Sequence, residues 1–148
     1  MTYNERSKSW GGSTVIKVLI ADDHPMIREI VREYLELYPE EFNVVGVVGN
    51  GQQAVQMASE LDPDVVLMDV RMPVMDGIEA TRILKAQSHP GLVITYTSFL
   101  YEQLHDLALQ AGAVEHLLKP FELDELGQKI RDVVQRARGQ RQAAHQIA

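Results

Sequence analysis

Five short apolar runs recur along the chain, and each is followed by a stretch with apolar residues at helical spacing. The runs cover residues 15–21, 42–48, 65–68, 92–97 and 114–118, and the helical stretches cover 27–38, 54–61, 76–84, 100–111 and 123–137. A short apolar run bounded by turn residues is typical of a buried strand. Regular alternation of such strands with helices predicts a parallel sheet covered by helices on both faces. The sequence of 148 residues therefore predicts one doubly wound α/β domain.

Acidic residues stand where two of these predicted strands end. Asp22 and Asp23 follow the first run, and Asp69 follows the third. A carboxylate beside a buried strand is costly unless a cation or hydrogen bonds compensate it. Ligands of open α/β sheets bind at the carboxyl ends of strands, and oxygen ligands suit Mg²⁺. These acids therefore predict a shared magnesium pocket.

A hydroxyl and an ammonium complete the set at the ends of the remaining runs. Thr97 ends the fourth run, and Lys119, followed by Pro120, ends the fifth. Together with the acids, and with the segment from Met72-Pro73 to Asp76-Gly77, they form an ordered pattern. In this pattern the chain, over roughly residues 15–137, resembles the receiver domain of two-component response regulators.

The resemblance implies a flavodoxin-like sheet of five strands in the order 2-1-3-4-5 with five helices. It implies that Asp69 is the phosphoacceptor. It also implies an Mg²⁺ site formed by Asp22, Asp23, Asp69 and the backbone carbonyl of Arg71.

The remaining site roles also come from this resemblance. Thr97 and Lys119 are expected to bind phosphoryl oxygens, and the Lys119–Pro120 peptide bond is expected to be cis. Before phosphorylation, Lys119 is expected to form an ion pair with Asp69. His24, beside the acids, is interpreted as a loop or helix-start residue, because Mg²⁺ prefers oxygen ligands.

His116 departs from the family pattern. It lies three residues before Lys119, where receivers usually carry Tyr or Phe. That aromatic residue commonly swings inward when the threonine engages phosphate. Imidazole is smaller and titratable, so we expect a weaker conformational switch with His116 as one of its parts.

The expected partners are a sensor histidine kinase or a phosphotransfer protein, and an output protein or a second copy of the chain. Because Thr97 and Lys119 both reach the phosphate, phosphorylation is expected to alter the attached surface over residues 99–137. The chain is expected to be a phosphoacceptor signalling domain and not an enzyme beyond its own phosphorylation and dephosphorylation. An unphosphorylated receiver-like binding module is the alternative.

Other classes of function fit the sequence poorly. A phosphatase of the haloacid dehalogenase type needs an acid two residues after its nucleophile, where this chain has Arg71. The five histidines lack the paired spacing of a zinc enzyme. A net charge of −7 argues against direct nucleic-acid binding by this chain.

The predicted organisation is a flexible leader over residues 1–14, the receiver domain over 15–138, and a tail or linker start over 139–148. The segment from Ala21 to Arg28 resembles receivers that precede a LuxR-type helix-turn-helix, so a stand-alone receiver and a fragment of a longer protein both stay open. The chain has no cysteine and no apolar run long enough for a membrane span. A cytoplasmic location is expected.

Overall fold

The computed structural model describes residues 15–98 and 102–147. The predicted leader over 1–14 and the first residues after Ser98, at 99–101, therefore lie outside the described residues.

The described residues form five strands and five helices in strict alternation. The strands are β1 (Ile16–Ala21), β2 (Phe42–Val48), β3 (Val65–Asp69), β4 (Leu92–Thr97) and β5 (Glu115–Leu118). The helices are α1 (Pro25–Glu36), α2 (Gly51–Leu61), α3 (Gly77–Ala86), α4 (Glu102–Ala111) and α5 (Leu123–Ile147). The predicted elements are all present, and their ends differ from the predicted ones mainly by a few residues.

The strands form one parallel sheet in the order β2-β1-β3-β4-β5. The predicted doubly wound order is therefore confirmed. Consecutive strands are joined by helices, as parallel pairing requires. The chain order reverses beside β1, so β1 and β3 frame the crevice where ligands of such sheets bind.

The helix starts follow local chemistry. Pro25 occupies the first turn of α1, where its missing N–H is no loss. The side chains of Asn50 and Asp76 accept hydrogen bonds from the backbone N–H groups of Gln53, at 2.9 Å, and Glu79, at 2.8 Å. These caps fix the first turns of α2 and α3. The cap at Asp76 thus fixes where the loop after β3 ends.

Alternate residues of each central strand pack on opposite faces of the sheet. On one face Ile20, Leu67 and Ile94 pack with residues of α1 and α5, including Leu126 and Ile130. The other face packs against α2, α3 and α4 through a second cluster, which includes Leu19, Val66, Met68, Val93, Ala58, Leu84 and Ala108. The central strands are buried on both faces, which explains their nearly continuous apolar runs.

The last helix is longer than its apolar pattern. Val134 is its last buried residue and Ala137 packs partly against the core, but the helix continues to Ile147. The side chains at 139–144 are exposed. The segment predicted as a tail or linker start is thus helical. In the part of the chain that the structure describes, no helix has the length and apolarity needed to cross a membrane.

Candidate acidic site at the carboxyl edge of the sheet

Three acids meet at the carboxyl ends of β1 and β3. These strands are neighbours, with Ala21 paired to Met68, so the residues that follow them lie side by side. Oxygens of Asp22, Asp23 and Asp69, together with a ring nitrogen of His24, all lie within 4.8 Å of one another. The structure therefore brings together the three predicted side-chain ligands.

Two oxygens of this cluster are buried without a hydrogen-bond partner among the described residues. They are Asp23 Oδ1 and Asp69 Oδ2. Asp69 is only 3% exposed and Asp22 is fully buried. Unpartnered carboxylate oxygens at a buried position are costly. The donor set consists of hard oxygens, two of which lack hydrogen-bond partners among the described residues, and it therefore fits Mg²⁺.

Asp22 is held more tightly than the other two acids. Its Oδ1 accepts a hydrogen bond from the backbone N–H of His24 at 2.8 Å. Its Oδ2 accepts from the hydroxyl of Tyr96 at 2.8 Å and from Lys119 Nζ at 3.5 Å. Both oxygens of Asp22 thus have donors, in contrast to Asp23 and Asp69.

The different partners drive the pKa values of two acids apart. Burial, and next the charge of Asp22, raise the pKa of Asp69 to about 7, although the charge of Lys119 opposes them. Burial alone would also raise the pKa of Asp22, but the backbone of His24, the hydroxyl of Tyr96 and Lys119 lower it below its ordinary value. The structure therefore favours an ionised Asp22 beside an Asp69 that titrates near neutral pH.

His24 stands at the start of α1, as predicted, but its ring also joins the acids. It is the N-cap residue of that helix and makes no side-chain cap hydrogen bond. Its Nδ1 lies 3.0 Å from Asp22 Oδ1, 3.1 Å from Asp23 Oδ1 and 3.8 Å from Asp69 Oδ2. The ring is largely exposed, so it can leave the acids without disturbing the core.

Lys119 reaches the cluster from the loop after β5. Its Nζ forms an ion pair with Asp22 at 3.5 Å and lies 4.8 Å from the centre of the Tyr96 ring. The expected ion pair of Lys119 with Asp69 is wrong, because within 4.0 Å the ammonium pairs with Asp22. Its charge still lowers the pKa of Asp69. The Lys119–Pro120 peptide bond is cis.

Thr97 and His116 lie deeper in the sheet. Thr97 is buried at the end of β4, and its carbonyl accepts the backbone N–H of Lys119 at 2.7 Å. His116 is paired across the strands with Thr95, and Thr95 Oγ1 is hydrogen-bonded to His116 Nδ1 at 2.7 Å. Burial and the charge of His105 lower the pKa of His116, against a smaller opposite effect of Glu115. The structure therefore holds a neutral imidazole against a threonine.

Arg71 is exposed just past β3. It lines a groove between α3 and α4 with Arg82, Leu104 and Leu107. Its backbone carbonyl is the predicted metal ligand.

Gly77 fixes the chain just behind the site. Its N–H donates to the carbonyl of Val70 at 2.8 Å. A Cβ at this position would collide with the carbonyl oxygen of Asp69. Only glycine therefore allows α3 to begin this close to the end of β3.

Tyr96 is the part of the site that sequence reasoning missed. In the sequence, the only signal is that Tyr96 carries a polar hydroxyl within a run predicted to be a buried strand. Period-two alternation predicts which face of the sheet a residue occupies, but it does not predict how far a phenol reaches along that face. The ring is fully buried and the hydroxyl extends to the edge, where it meets Asp22.

A doubly wound parallel sheet with an acidic cluster and a lysine at its carboxyl edge defines a receiver-type signalling domain. The model of the response regulator receiver domain family matches residues 18–131. The chain therefore belongs to the family of response regulator receiver domains.

Individual relatives agree with this assignment. The chemotaxis protein CheY of Halobacterium salinarum is 40% identical over 118 residues, which are 80% of this chain and 96% of that protein. The transcriptional regulatory protein LnrK of Bacillus subtilis is 39% identical over 76% of this chain. The match covers only 50% of LnrK, so the chain spans about half the length of that relative.

Solved structures give the same fold. The signal receiver domain of the putative response regulator NarL from Mycobacterium tuberculosis superposes with a TM-score of 0.78 at 32% identity, covering 82% of this chain and 97% of that one. A DNA-binding response regulator of the LuxR family from Staphylococcus aureus gives a TM-score of 0.77 at 26% identity, covering 81% of this chain and 99% of that one.

Proposed function

We propose that this chain is a phosphorylation-dependent receiver in which Asp69 accepts a phosphoryl group from a histidine kinase or a phosphotransfer protein. The single observation that carries the proposal is the environment of Asp69. Its carboxylate is buried at a strand end and lies beside Asp22 and Asp23, and one of its oxygens has no hydrogen-bond partner among the residues that the structure describes. A buried carboxylate with an unpartnered oxygen is energetically unfavourable, and its place at the ligand-binding edge of the sheet favours a reactive role over a structural one.

Asp69 would act as the nucleophile. One of its carboxylate oxygens attacks phosphorus, and the phosphorus–nitrogen bond of the donor phosphohistidine breaks. The donor imidazole keeps the electron pair and takes up a proton, while Asp69 becomes an acyl phosphate. The attack needs an ionised carboxylate, and a bound cation would favour that form against the burial that raises the pKa of Asp69.

The neighbouring residues would position the incoming group. Asp22, Asp23, Asp69 and the backbone carbonyl of Arg71 are the proposed Mg²⁺ ligands. When bound, Mg²⁺ would offset the negative charge of the carboxylates and of the phosphoryl oxygens. Lys119 would supply a compact positive charge from the loop after β5.

Thr97 would donate its hydroxyl to a phosphoryl oxygen, and this contact would link the site to the output surface. Thr97 ends β4, and Lys119 follows β5 directly. A displacement of either residue would therefore also displace α4, β5 and α5, which make up most of the 99–137 face. We propose that this face contacts an output protein or a second copy of the chain.

The proposal is tested by chemical phosphorylation. Incubation with acetyl phosphate and Mg²⁺ should add one phosphoryl group to the wild-type chain, as measured by intact mass, and none to Asp69→Asn. Asp76→Asn is a matched control, because Asp76 lies on the same loop, is exposed, and caps α3 in a way that asparagine can replace. This variant should label like the wild type. Equal labelling of Asp69→Asn would refute the assignment.

The output part has its own test. A beryllofluoride mimic of the phosphate should change the NMR shifts of α4, β5 and the buried part of α5. Changes confined to the loops around Asp22 and Asp69 would instead support the alternative of a binding module that does not use phosphorylation to switch its surface.

A further inference from the structure

Tyr96 connects the acidic site to the core on the face of the sheet that packs against α1 and α5. Its side chain is fully buried, yet its hydroxyl donates to Asp22 Oδ2 at 2.8 Å. We propose that Tyr96 is a positioning residue for the cation site, because its hydroxyl holds one oxygen of Asp22 away from the cluster and leaves the other directed toward it. This inference rests on the proposed function.

The two oxygens of Asp22 face different surroundings. Oδ1 lies 3.0 Å from His24 Nδ1, and the same nitrogen lies within 3.8 Å of oxygens of Asp23 and Asp69. Oδ1 is therefore the oxygen on the cluster side. Among the described residues, Oδ2 accepts from the hydroxyl of Tyr96 and from the ammonium of Lys119. The carboxylate is thus oriented, with Oδ2 held by Tyr96 and Lys119, and with Oδ1 held by the backbone N–H of His24 on the side of the other acids.

The ring of Tyr96 is fixed, which makes its hydroxyl a rigid donor. Tyr96 is paired with Asp69 across β3 and β4. It packs edge-on against Phe121 with ring centres 5.8 Å apart, and Lys119 Nζ lies 4.8 Å from its ring centre. Contacts on several sides leave the phenol little freedom, so its position is set by the core and not by the acids. Such outer-shell donors orient metal ligands in proteins.

Without the hydroxyl, Lys119 alone would hold Oδ2, from 3.5 Å. The carboxylate of Asp22 would then be held at Oδ1 by the backbone N–H of His24 and at Oδ2 only by this longer contact, so its orientation would be less fixed. Tyr96→Phe keeps the ring and removes only the donor. We expect Mg²⁺ affinity to fall about tenfold, at the lower end of what loss of an outer-shell partner costs. Labelling by acetyl phosphate should slow at low Mg²⁺ and recover at saturating Mg²⁺.

The chain offers a matched control in Tyr34. This tyrosine is buried on the same face of the sheet, and its hydroxyl donates to Asp124 Oδ1 at 2.7 Å. Tyr34→Phe therefore removes an equally short tyrosine–aspartate hydrogen bond that involves none of the site acids. It should lower thermal stability without changing Mg²⁺ affinity. Comparing Tyr96→Phe with Tyr34→Phe therefore distinguishes a lost orientation of Asp22 from a general loss of stability.

The experiment is an Mg²⁺ titration of wild type, Tyr96→Phe, Tyr34→Phe and Asp23→Ala, followed by backbone NMR, with folding checked by circular dichroism. The inference is supported if Tyr96→Phe binds about tenfold more weakly while Tyr34→Phe binds like the wild type. It is overturned if Tyr96→Phe binds normally while Asp23→Ala loses binding, and the proposed function then still stands. It is also overturned if both tyrosine variants weaken equally. Absence of Mg²⁺ binding by the wild type would overturn both proposals.

A measurement on the wild-type chain decides the question if Tyr96→Phe does not fold. In protein that carries ¹³C-labelled tyrosine, the signal of the Tyr96 ring is assigned among those of the five tyrosines by the contact of this ring with the ring of Phe121. Mg²⁺ should shift this signal at the same concentration at which it shifts the amides next to Asp69. An unshifted Tyr96 ring in a chain that binds Mg²⁺ would refute a role in the cation site.

Discussion

Replacing Asp69 with asparagine should stabilise the folded chain when no divalent cation is present. Asp69 is 3% exposed, and one of its oxygens has no hydrogen-bond partner in the described part of the chain. Burial, followed by the charge of Asp22, raises its pKa from 3.8 to about 7. The folded state therefore holds the proton of Asp69 more tightly than the unfolded state does. Ionising this carboxyl works against folding, and asparagine removes the charge while keeping the shape.

The size and sign of the effect follow from this pKa. Below pH 3.8 the carboxyl of Asp69 is protonated in both the folded and the unfolded state, and it does not lower the free energy of unfolding. As the pH rises to about 7, the unfolded state has lost its proton and the folded state has not, so stability falls over this window. At about 1.4 kcal/mol for each pKa unit, the cost above that window is about 4 kcal/mol. Because the new amide also needs partners, we expect Asp69→Asn to gain about 2 to 4 kcal/mol at pH 8.

Urea denaturation in EDTA at pH 8 and at pH 5 measures the difference. The gain should shrink below about 2 kcal/mol at pH 5, where the folded wild type keeps most of its proton. Added Mg²⁺ at pH 8 should stabilise the wild type and not Asp69→Asn. A variant no more stable than the wild type at pH 8 would refute the reasoning. A gain that is the same at both pH values would assign the effect to packing.

Three further substitutions test the site. Asp23→Ala should abolish Mg²⁺ binding measured by calorimetry and raise stability without the cation, since the remaining acids repel each other less; normal Mg²⁺ binding would mean that the metal pocket is misplaced. His24→Ala should tighten Mg²⁺ binding about two- to fivefold, because the ring no longer competes for the acids; weaker binding would make the imidazole a ligand. Thr95→Val should cost about 1 to 3 kcal/mol in thermal denaturation, because it leaves the buried Nδ1 of His116 unpaired, and no loss would mean that this hydrogen bond does not stabilise the fold. In the wild type, NMR should find that His116 titrates below its ordinary pKa of 6.5, and titration above that value would refute its burial as a neutral imidazole.

The sequence predicted the fold well because its strongest signals are periodic. Buried parallel strands need continuous apolar runs, and these runs place Asp69 and Thr97 at strand ends without knowledge of any contact. The same logic brought Asp22 and Asp23 to one edge of the sheet. The strand order came from the family resemblance, since periodicity alone does not distinguish one doubly wound order from another.

Contacts between side chains could not be read in the same way. The ion pair of Lys119 with Asp22 depends on a flexible side chain choosing between two nearby carboxylates. The reach of Tyr96 to Asp22 depends on the length of a phenol along the sheet. The approach of the His24 ring to the acids depends on a side-chain rotamer. Each outcome is decided by distances of one or two ångströms, which a linear pattern of residue types does not encode.

The long last helix, α5, can turn a small change of angle near the site into a larger displacement of its exposed end. It begins three residues after Pro120 and continues for 25 residues, a length of about 37 Å. Its packed part, up to Ala137, is the pivot, and the exposed turns over 139–144 extend beyond it. From Ala137 to Ile147 the helix runs about 15 Å, so a tilt of about 10 degrees about the packed part would move its end by about 3 Å, if the helix stays straight. A change at Lys119 that tilts this helix would thus become, at its exposed end, a displacement of about half a helical turn.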